Sequence, residues 1–89
     1  MKSTLDDHFR TCFRSLPERV KRTTRKNYRL WKSNPAHPSL EYKRVSIDPL
    51  VYSIRVGIGW RALGLMDDDG IQWFWIGSHA KYDRILKNL

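Results

Sequence analysis

Four side chains in the second half of the chain are of the types that can cleave a phosphodiester bond without a metal ion. Arg55 and Arg61 lie in apolar segments that alternate like strands, and His79 and Tyr82 follow the most apolar run of the chain. An imidazole can act as general acid or base near neutral pH, and a guanidinium offers a planar fork to phosphate oxygens. A tyrosine can stack on a base or donate a proton. Together these groups could bind a phosphate, move two protons and stabilise the charge of the transition state of RNA cleavage.

Each of these residues also has a plain structural interpretation. A single histidine after a strand is structural more often than catalytic, and an exposed strand arginine is usually only solvated. Lys43 and Arg44 lie just upstream of the first arginine and are further candidates for binding RNA. His37 is flanked by prolines, so a capping or loop hydrogen bond explains it better than catalysis.

The positive charge is concentrated in the first half of the chain. The net charge is +8, and the first 44 residues contain 12 Lys/Arg and 4 Asp/Glu, whereas the remaining 45 contain 5 of each. A one-sided basic field of this kind favours a polyanionic partner, either nucleic acid or an acidic protein segment.

The first third of the chain is predicted to be helical. Leu5 and Phe9 begin an apolar stripe, which predicts a first helix from Thr4 to about Ser15. Ser15 and Glu18 then form a capping-box pattern with a proline between them, so a second helix is predicted to begin there.

The second helix should run to about Ser33, because Pro35 disfavours helical geometry in the residue before it. One face is predicted to contact the core and carries Val20, Thr24, Tyr28 and Trp31. The other faces are basic, and the candidate RNA-binding residues there are Arg22, Arg25, Lys26 and Arg29. Like charges at helical spacing repel by a few tenths of a kcal/mol per pair, which a bound polyanion would relieve. A solvated basic helix is the alternative.

The rest of the chain is predicted to form an antiparallel meander. The segment 40–47 alternates with a phase shift, which indicates a bulge or a twist. In the next strand Tyr52, Ile54, Val56 and Ile58 should face the core, with Arg55 on the other side. Residues 60–66 and the run 73–76 form further strands, joined by a hairpin at residues 68–70.

These elements predict an α+β fold. Two N-terminal helices should pack on an antiparallel sheet of three to four strands, followed by a short C-terminal helix or tail, in a single domain spanning residues 1–89. The sheet face away from the helices should stay open, and Arg55, Arg61, His79 and Tyr82 are expected to converge there.

Several classes of protein are excluded by composition. No run approaches the ~20 apolar residues of a membrane span, and the N-terminus has no secretory apolar region, so we expect a cytoplasmic protein. The single cysteine, Cys12, allows neither an internal disulfide nor a cysteine-based zinc framework, and its position suggests core packing. We expect no cofactor and no metal.

Two motifs resemble a known family. The segment from Tyr52 to Gly57, followed by Gly59-Trp60-Arg61-Ala62-Leu63, resembles the Y-x-I-R-V-G-x-x-Y-R core of the RelE/ParE superfamily, the toxins of bacterial type II toxin–antitoxin modules. The segments 34–40 and 73–83 resemble one subgroup closely. The superfamily contains metal-independent endonucleases that cut mRNA in the ribosomal A site, and also inhibitors of DNA gyrase.

The resemblance implies roles for individual residues. Arg55 and Arg61 match the strand residues that hold the scissile phosphate in the nucleases, and His79 and Tyr82 lie where those enzymes supply acid and stacking groups. Ser53 stands where RelE has a lysine. The superfamily's usual N-terminal strand is expected to be missing here, because helical periodicity already begins in the first few residues.

The resemblance also implies partners. A toxin that cuts mRNA would contact the message and ribosomal RNA. A cognate antitoxin would cover the basic surface of the toxin. The toxin would contact operator DNA only through this antitoxin. The basic second helix therefore has two possible partners, ribosomal RNA or an acidic antitoxin segment. The leading prediction is translation inhibition by mRNA cleavage; the alternatives are a non-catalytic gyrase inhibitor and a complex partner that has lost toxicity.

Overall fold

The computed structural model describes residues 2–89 and consists of three α-helices and a five-stranded sheet. In chain order the elements are β1 (Lys2–Leu5), α1 (Asp7–Arg14), α2 (Glu18–Ser33), a 3-10 turn (Pro38–Leu40), β2 (Lys43–Ser46), β3 (Val51–Gly57), β4 (Trp60–Asp67), β5 (Gly70–Ser78) and α3 (His79–Leu86). Strands β2 to β5 form an antiparallel meander, and β1 adds to its edge in parallel with β5, giving the order β1-β5-β4-β3-β2. The predicted α+β fold class is confirmed.

The N-terminal strand corrects the prediction that a helix begins at Thr4. Strand β1 pairs with β5, with Leu5 opposite Trp73. Gly70 makes this pairing possible, because a Cβ there would collide with the carbonyl oxygen of Lys2. Helix α1 begins only after Asp6, whose carboxylate accepts the backbone N–H of Phe9 at 2.8 Å. An aspartate in this capping position ends the strand and starts the helix.

The junction between α1 and α2 also differs from the predicted capping box. Ser15 closes α1 as its C-cap, Pro17 precedes α2, and no side chain caps that helix. Glu18 instead forms a salt bridge with Lys21 at 3.3 Å. The predicted end of α2 at Ser33 is confirmed, and no helix within residues 2–89 is long and apolar enough to cross a membrane.

The two N-terminal helices cover one face of the sheet. Val20, Thr24 and Trp31 of α2 are buried, as the sequence predicted. The ring of Trp31 meets that of Trp73 of β5 edge to face at 5.3 Å. The indole N–H of Trp73 also donates to the hydroxyl of Ser3, so the same core includes β1.

Helix α3 covers part of the other face, which the sequence analysis had left open. A second cluster of buried residues forms there from Val51, Leu63, Trp75 and Tyr82. Apolar residues of α3 pack against it, which confirms a short C-terminal helix but corrects the idea of an uncovered face. Only part of this face, beside α3, remains for a functional site.

Two strand assignments need correction. Ile58 was expected in the core, but it lies in the turn between β3 and β4 and is 86% exposed. Leu40 is the buried residue of the 3-10 turn, so β2 begins three residues later than the predicted extended segment. The predicted bulge is confirmed by a register shift between Arg44 and Ser46.

Candidate functional site

Arg55 and Arg61 lie directly opposite each other on β3 and β4. They project from the face that carries α3, since Ser53 and Leu63, two residues away on each strand, are buried in contact with that side. Like charges in directly opposed positions of a sheet repel. An anion bound between two arginines held in this way would relieve that repulsion.

A carboxylate that the sequence analysis did not single out lies between the two arginines. Glu41 Oε2 is 3.2 Å from Nη2 of Arg61 and 3.7 Å from Nε of Arg55. Glu41 follows the 3-10 turn in the left-handed conformation, with φ 44°. Non-glycine residues rarely adopt this conformation, which tends to occur at functional positions. One signal was available: Glu41 is the single acid between Glu18 and Asp48.

Arg61 is the more buried of the two arginines, at 8% exposed. Among residues 2–89 its Nη1 atom has no hydrogen-bond partner. Its guanidinium carbon lies 5.6 Å from the centroid of the Tyr82 ring. A buried cation is costly unless its donors are satisfied. Arg61 thus retains donor capacity for an oxygen-rich ligand beyond its contact with Glu41.

His79 is the first residue of α3, on the other side of Tyr82. Its ring lies 5.4 Å from that of Tyr82 at 68°, and its Nδ1 is 3.2 Å from Oδ2 of Asp83. An ionised carboxylate only accepts hydrogen bonds, so Nδ1 carries the hydrogen and Nε2 is the nitrogen left for a substrate. The spacing of one helical turn between His79 and Asp83 was visible in the sequence.

Tyr82 does not lie on an open surface as expected. It is 3% exposed, and its hydroxyl donates to Ser53 Oγ at 3.0 Å. Ser53 is itself fully buried. The ring is therefore a fixed support whose two neighbours are Arg61 and His79, and its faces are not free to stack on a base.

The family assignment follows from the sequence of this same region. A family model described as the ParE-like toxin domain matches residues 18–84, which include both arginines and His79. The chain belongs to the ParE-like toxin domain family. It is thus a toxin of the RelE/ParE superfamily, from a toxin–antitoxin module. No curated protein matches its sequence significantly.

Solved structures with a similar fold include RelE proteins of low sequence identity. A chain of the RelB–RelE antitoxin–toxin complex from Methanococcus jannaschii has a TM-score of 0.70 at 16% identity, covering 91% of this chain and 96% of that one. For the archaeal RelE–RelB complex from Pyrococcus horikoshii the values are 0.69 and 13%, with 90% and 96% covered. The isolated E. coli RelE toxin gives 0.62 and 14%, with 98% and 97% covered. These similarities show a shared fold.

The other basic residues of this ParE-like toxin fall into two places. Lys43 of β2 is in register with Ser53 and so shares the face of the arginine pair, whereas Arg44 pairs with Tyr52 on the opposite face. Both are exposed. Burial raises the pKa of Tyr42, with its neighbour Tyr52 adding to the effect, so that hydroxyl stays protonated at neutral pH.

The basic residues of α2 are separate from the arginine pair. Those predicted to bind RNA are exposed on α2, which packs on the opposite face of the sheet: Arg22, Arg25, Lys26 and Arg29. Arg25 lies over the Phe13 ring at 5.1 Å. The toxin therefore presents two cationic surfaces, one on each side of its sheet.

Within residues 2–89 there is no group of three or more His, Cys, Asp or Glu side chains that could hold a metal ion.

Proposed function

We propose that this toxin inhibits translation by cutting mRNA on the ribosome without a metal ion. The observation that carries the proposal is the opposed pair Arg55 and Arg61, which contacts Glu41 on one side and lies beside the Tyr82–His79 contact on the other. One small site thus combines two phosphate-binding cations with two groups that can exchange protons. The RelE names of proteins with the same fold support a nuclease.

The chemistry proceeds by attack of the ribose 2′-oxygen on the neighbouring phosphorus. Arg55 and Arg61 hold the phosphate oxygens and stabilise the added negative charge of the pentacoordinate transition state. Glu41 accepts the proton of the 2′-hydroxyl as the P–O2′ bond forms. His79 donates a proton to the 5′-oxygen as the P–O5′ bond breaks. The products are a 2′,3′-cyclic phosphate and a free 5′-hydroxyl.

Glu41 and His79 take different roles because of their positions. Glu41 contacts both phosphate-binding arginines, and the 2′-hydroxyl is adjacent to the phosphate they hold. His79 is held by Asp83 with Nε2 available to the leaving group. Tyr82 positions Arg61 and His79 relative to each other through its buried ring. We assign it this positioning role in place of base stacking.

The partners follow from the two cationic surfaces. Lys43, on the face of the arginine pair, binds the message, whereas Arg44, on the other face of the edge strand β2, contacts RNA on the side of α2. The basic face of α2 binds ribosomal RNA, and a cognate antitoxin covers the toxin when translation is not inhibited. The RelB–RelE complexes of the same fold support such an antitoxin. Operator DNA is contacted only through the antitoxin, and the toxin acts in the cytoplasm.

His79→Ala is expected to lower the rate of A-site cleavage by about 10²- to 10⁴-fold, the usual contribution of a general acid. Asp83→Asn should cause a smaller loss, because it removes the group that orients the ring. The measurement maps the 5′ ends of mRNA in a translating extract to which purified toxin is added. Lys87→Ala, an exposed change just after α3, is the matched control and should retain full activity.

The second candidate function is inhibition of DNA gyrase without catalysis, since the matching family model is that of ParE-like toxins. The same extract separates the two functions when gyrase and supercoiled DNA are supplied. Intact mRNA together with accumulated gyrase–DNA breaks would overturn the nuclease proposal. Intact mRNA and intact DNA would indicate a chain that has lost toxicity.

The basic face of α2 is expected to contribute electrostatic contacts with RNA. Changing Arg22, Arg25, Lys26 and Arg29 to glutamine should weaken ribosome binding. The plot of log affinity against log salt concentration should also become shallower, by about 0.7 in slope for each lost phosphate contact. Filter binding at several salt concentrations measures the slope. Replacing Arg84 and Lys87 is the control for positive charge removed from another part of the surface. Unchanged ribosome affinity with a weakened antitoxin complex would assign this face to the antitoxin alone.

A further inference from the structure

A histidine and a cysteine lie side by side on α1, away from the arginine pair. His8 and Cys12 are separated by one helical turn, with His8 Nε2 at 3.8 Å from Cys12 Sγ. The other ring nitrogen of His8 is 2.8 Å from the backbone carbonyl oxygen of Phe74. A carbonyl oxygen only accepts, so Nδ1 of His8 carries the hydrogen. Nε2 therefore presents its lone pair towards the sulfur.

This arrangement matches the way that proteins prepare a histidine to bind a metal. Metal-binding histidines almost always donate the second ring N–H to a carboxylate or a backbone carbonyl, which fixes the tautomer and the ring plane. Phe74 of β5 supplies that carbonyl here, from a rigid strand. The ring is thus oriented by the tertiary structure and not only by its own helix.

The separation of the two donor atoms also fits a metal ion. With Zn–S of about 2.3 Å and Zn–N of about 2.0 Å, a sulfur–nitrogen separation of 3.8 Å gives an angle at zinc of about 124°, within about 15° of tetrahedral. The thiol is not sealed in the core, because Cys12 lines a cleft of about 340 Å³. His8 is exposed. The contact between the two donor atoms is itself exposed, so an ion can approach it from solvent.

We propose that His8 and Cys12 chelate one Zn²⁺ ion or a similar thiophilic divalent ion, with solvent in the remaining positions. Imidazole and thiolate suit zinc and leave hard cations such as Mg²⁺ unbound. Binding displaces the thiol proton, so affinity increases with pH. The bound ion joins two turns of α1 next to the point where α1 is attached to β5. This site is independent of the nuclease proposal, and its loss leaves the arginine pair intact.

The test is titration of the purified, reduced full-length toxin with Co²⁺ and Zn²⁺ in a non-thiol reductant. We expect one ion per chain, a thiolate-to-cobalt charge-transfer band in the near ultraviolet, displacement of Co²⁺ by Zn²⁺, and no effect of Mg²⁺. Cys12→Ser should abolish the band, and His8→Ala should weaken Zn²⁺ binding by more than about 100-fold, beyond the effect of losing an outer-shell partner.

A separate control tests the second histidine pair of the toxin, which is His79 with Asp83. His79→Ala removes the pair with Asp83 and should leave Co²⁺ binding and its band unchanged. Thermal unfolding with and without Zn²⁺ gives a second measurement: zinc should raise the Tm of the wild type and not that of His8→Ala or Cys12→Ser. The proposal fails if the band does not form, or if either α1 variant binds the ions as tightly as the wild type does. A purely structural His8 would lower the Tm of His8→Ala equally with and without zinc.

Discussion

Arg61→Ala is expected to reduce mRNA cleavage about 10³-fold, the effect of removing one strong donor to a developing negative charge. Arg61 is largely buried against Tyr82 and Glu41, so its donors are held in place before the substrate arrives. Arg61→Lys should recover little activity, because an ammonium cannot reproduce the planar fork or its contact with the Tyr82 ring. Cleavage-site mapping at several toxin concentrations measures the loss.

Two comparisons show whether the loss is chemical. Arg84→Ala removes an exposed arginine from the last turn of α3 and should leave cleavage unchanged. Circular dichroism and thermal unfolding check that the Arg61 variants are folded. A folded Arg61→Ala toxin that cuts mRNA at the wild-type rate would show that the arginine pair is not the phosphate site.

Glu41→Gln separates the two possible effects of the carboxylate between the arginines. If Glu41 is the general base, the Glu41→Gln variant has no group to accept the proton, and the cleavage rate should fall by a factor comparable to that for His79→Ala. As a simple counter-ion that a phosphate must displace, its removal would maintain or increase cleavage. An increase would therefore assign the 2′-hydroxyl proton to another acceptor and reverse our assignment of Glu41.

Trp73→Ala is expected to lower the free energy of unfolding by about 3–5 kcal/mol, a large part of the 5–15 kcal/mol that typically stabilises a small domain. Trp73 is 2% exposed, meets Trp31 edge to face, and donates to Ser3 of β1. The substitution leaves a cavity where α2, β1 and β5 meet. Urea unfolding followed by circular dichroism measures the change.

The neighbouring residue is the matched control for Trp73. Phe74→Ala alters a partly buried side chain that packs in the other cluster, at the register shift between β4 and β5. Its loss of stability should be clearly smaller. If both substitutions cost the same, the face covered by α1 and α2 would not be the principal core of the toxin.

The sequence by itself determined the elements whose signal is local. The end of α2 at Ser33, its buried face, the bulge in β2 and the hairpin between β4 and β5 follow from prolines, turn residues and apolar periodicity within a few residues. Residue types and a motif likewise selected Arg55, Arg61 and His79. In the structure Arg61 and His79 both lie beside Tyr82, and Arg55 is opposite Arg61 on the neighbouring strand. These features require no knowledge of distant parts of the chain.

Tertiary structure decided what depends on residues far apart in the chain. Strand β1 exists because its backbone pairs with β5, almost 70 residues away, although the same residues continue a helical stripe. Glu41 reaches the arginines through a left-handed backbone that follows a 3-10 turn, and no periodicity indicates either feature. Tyr82 is buried because α3 folds back and its hydroxyl finds Ser53. Local propensity is weak compared with burial and long-range pairing, so these contacts set the final roles of the residues.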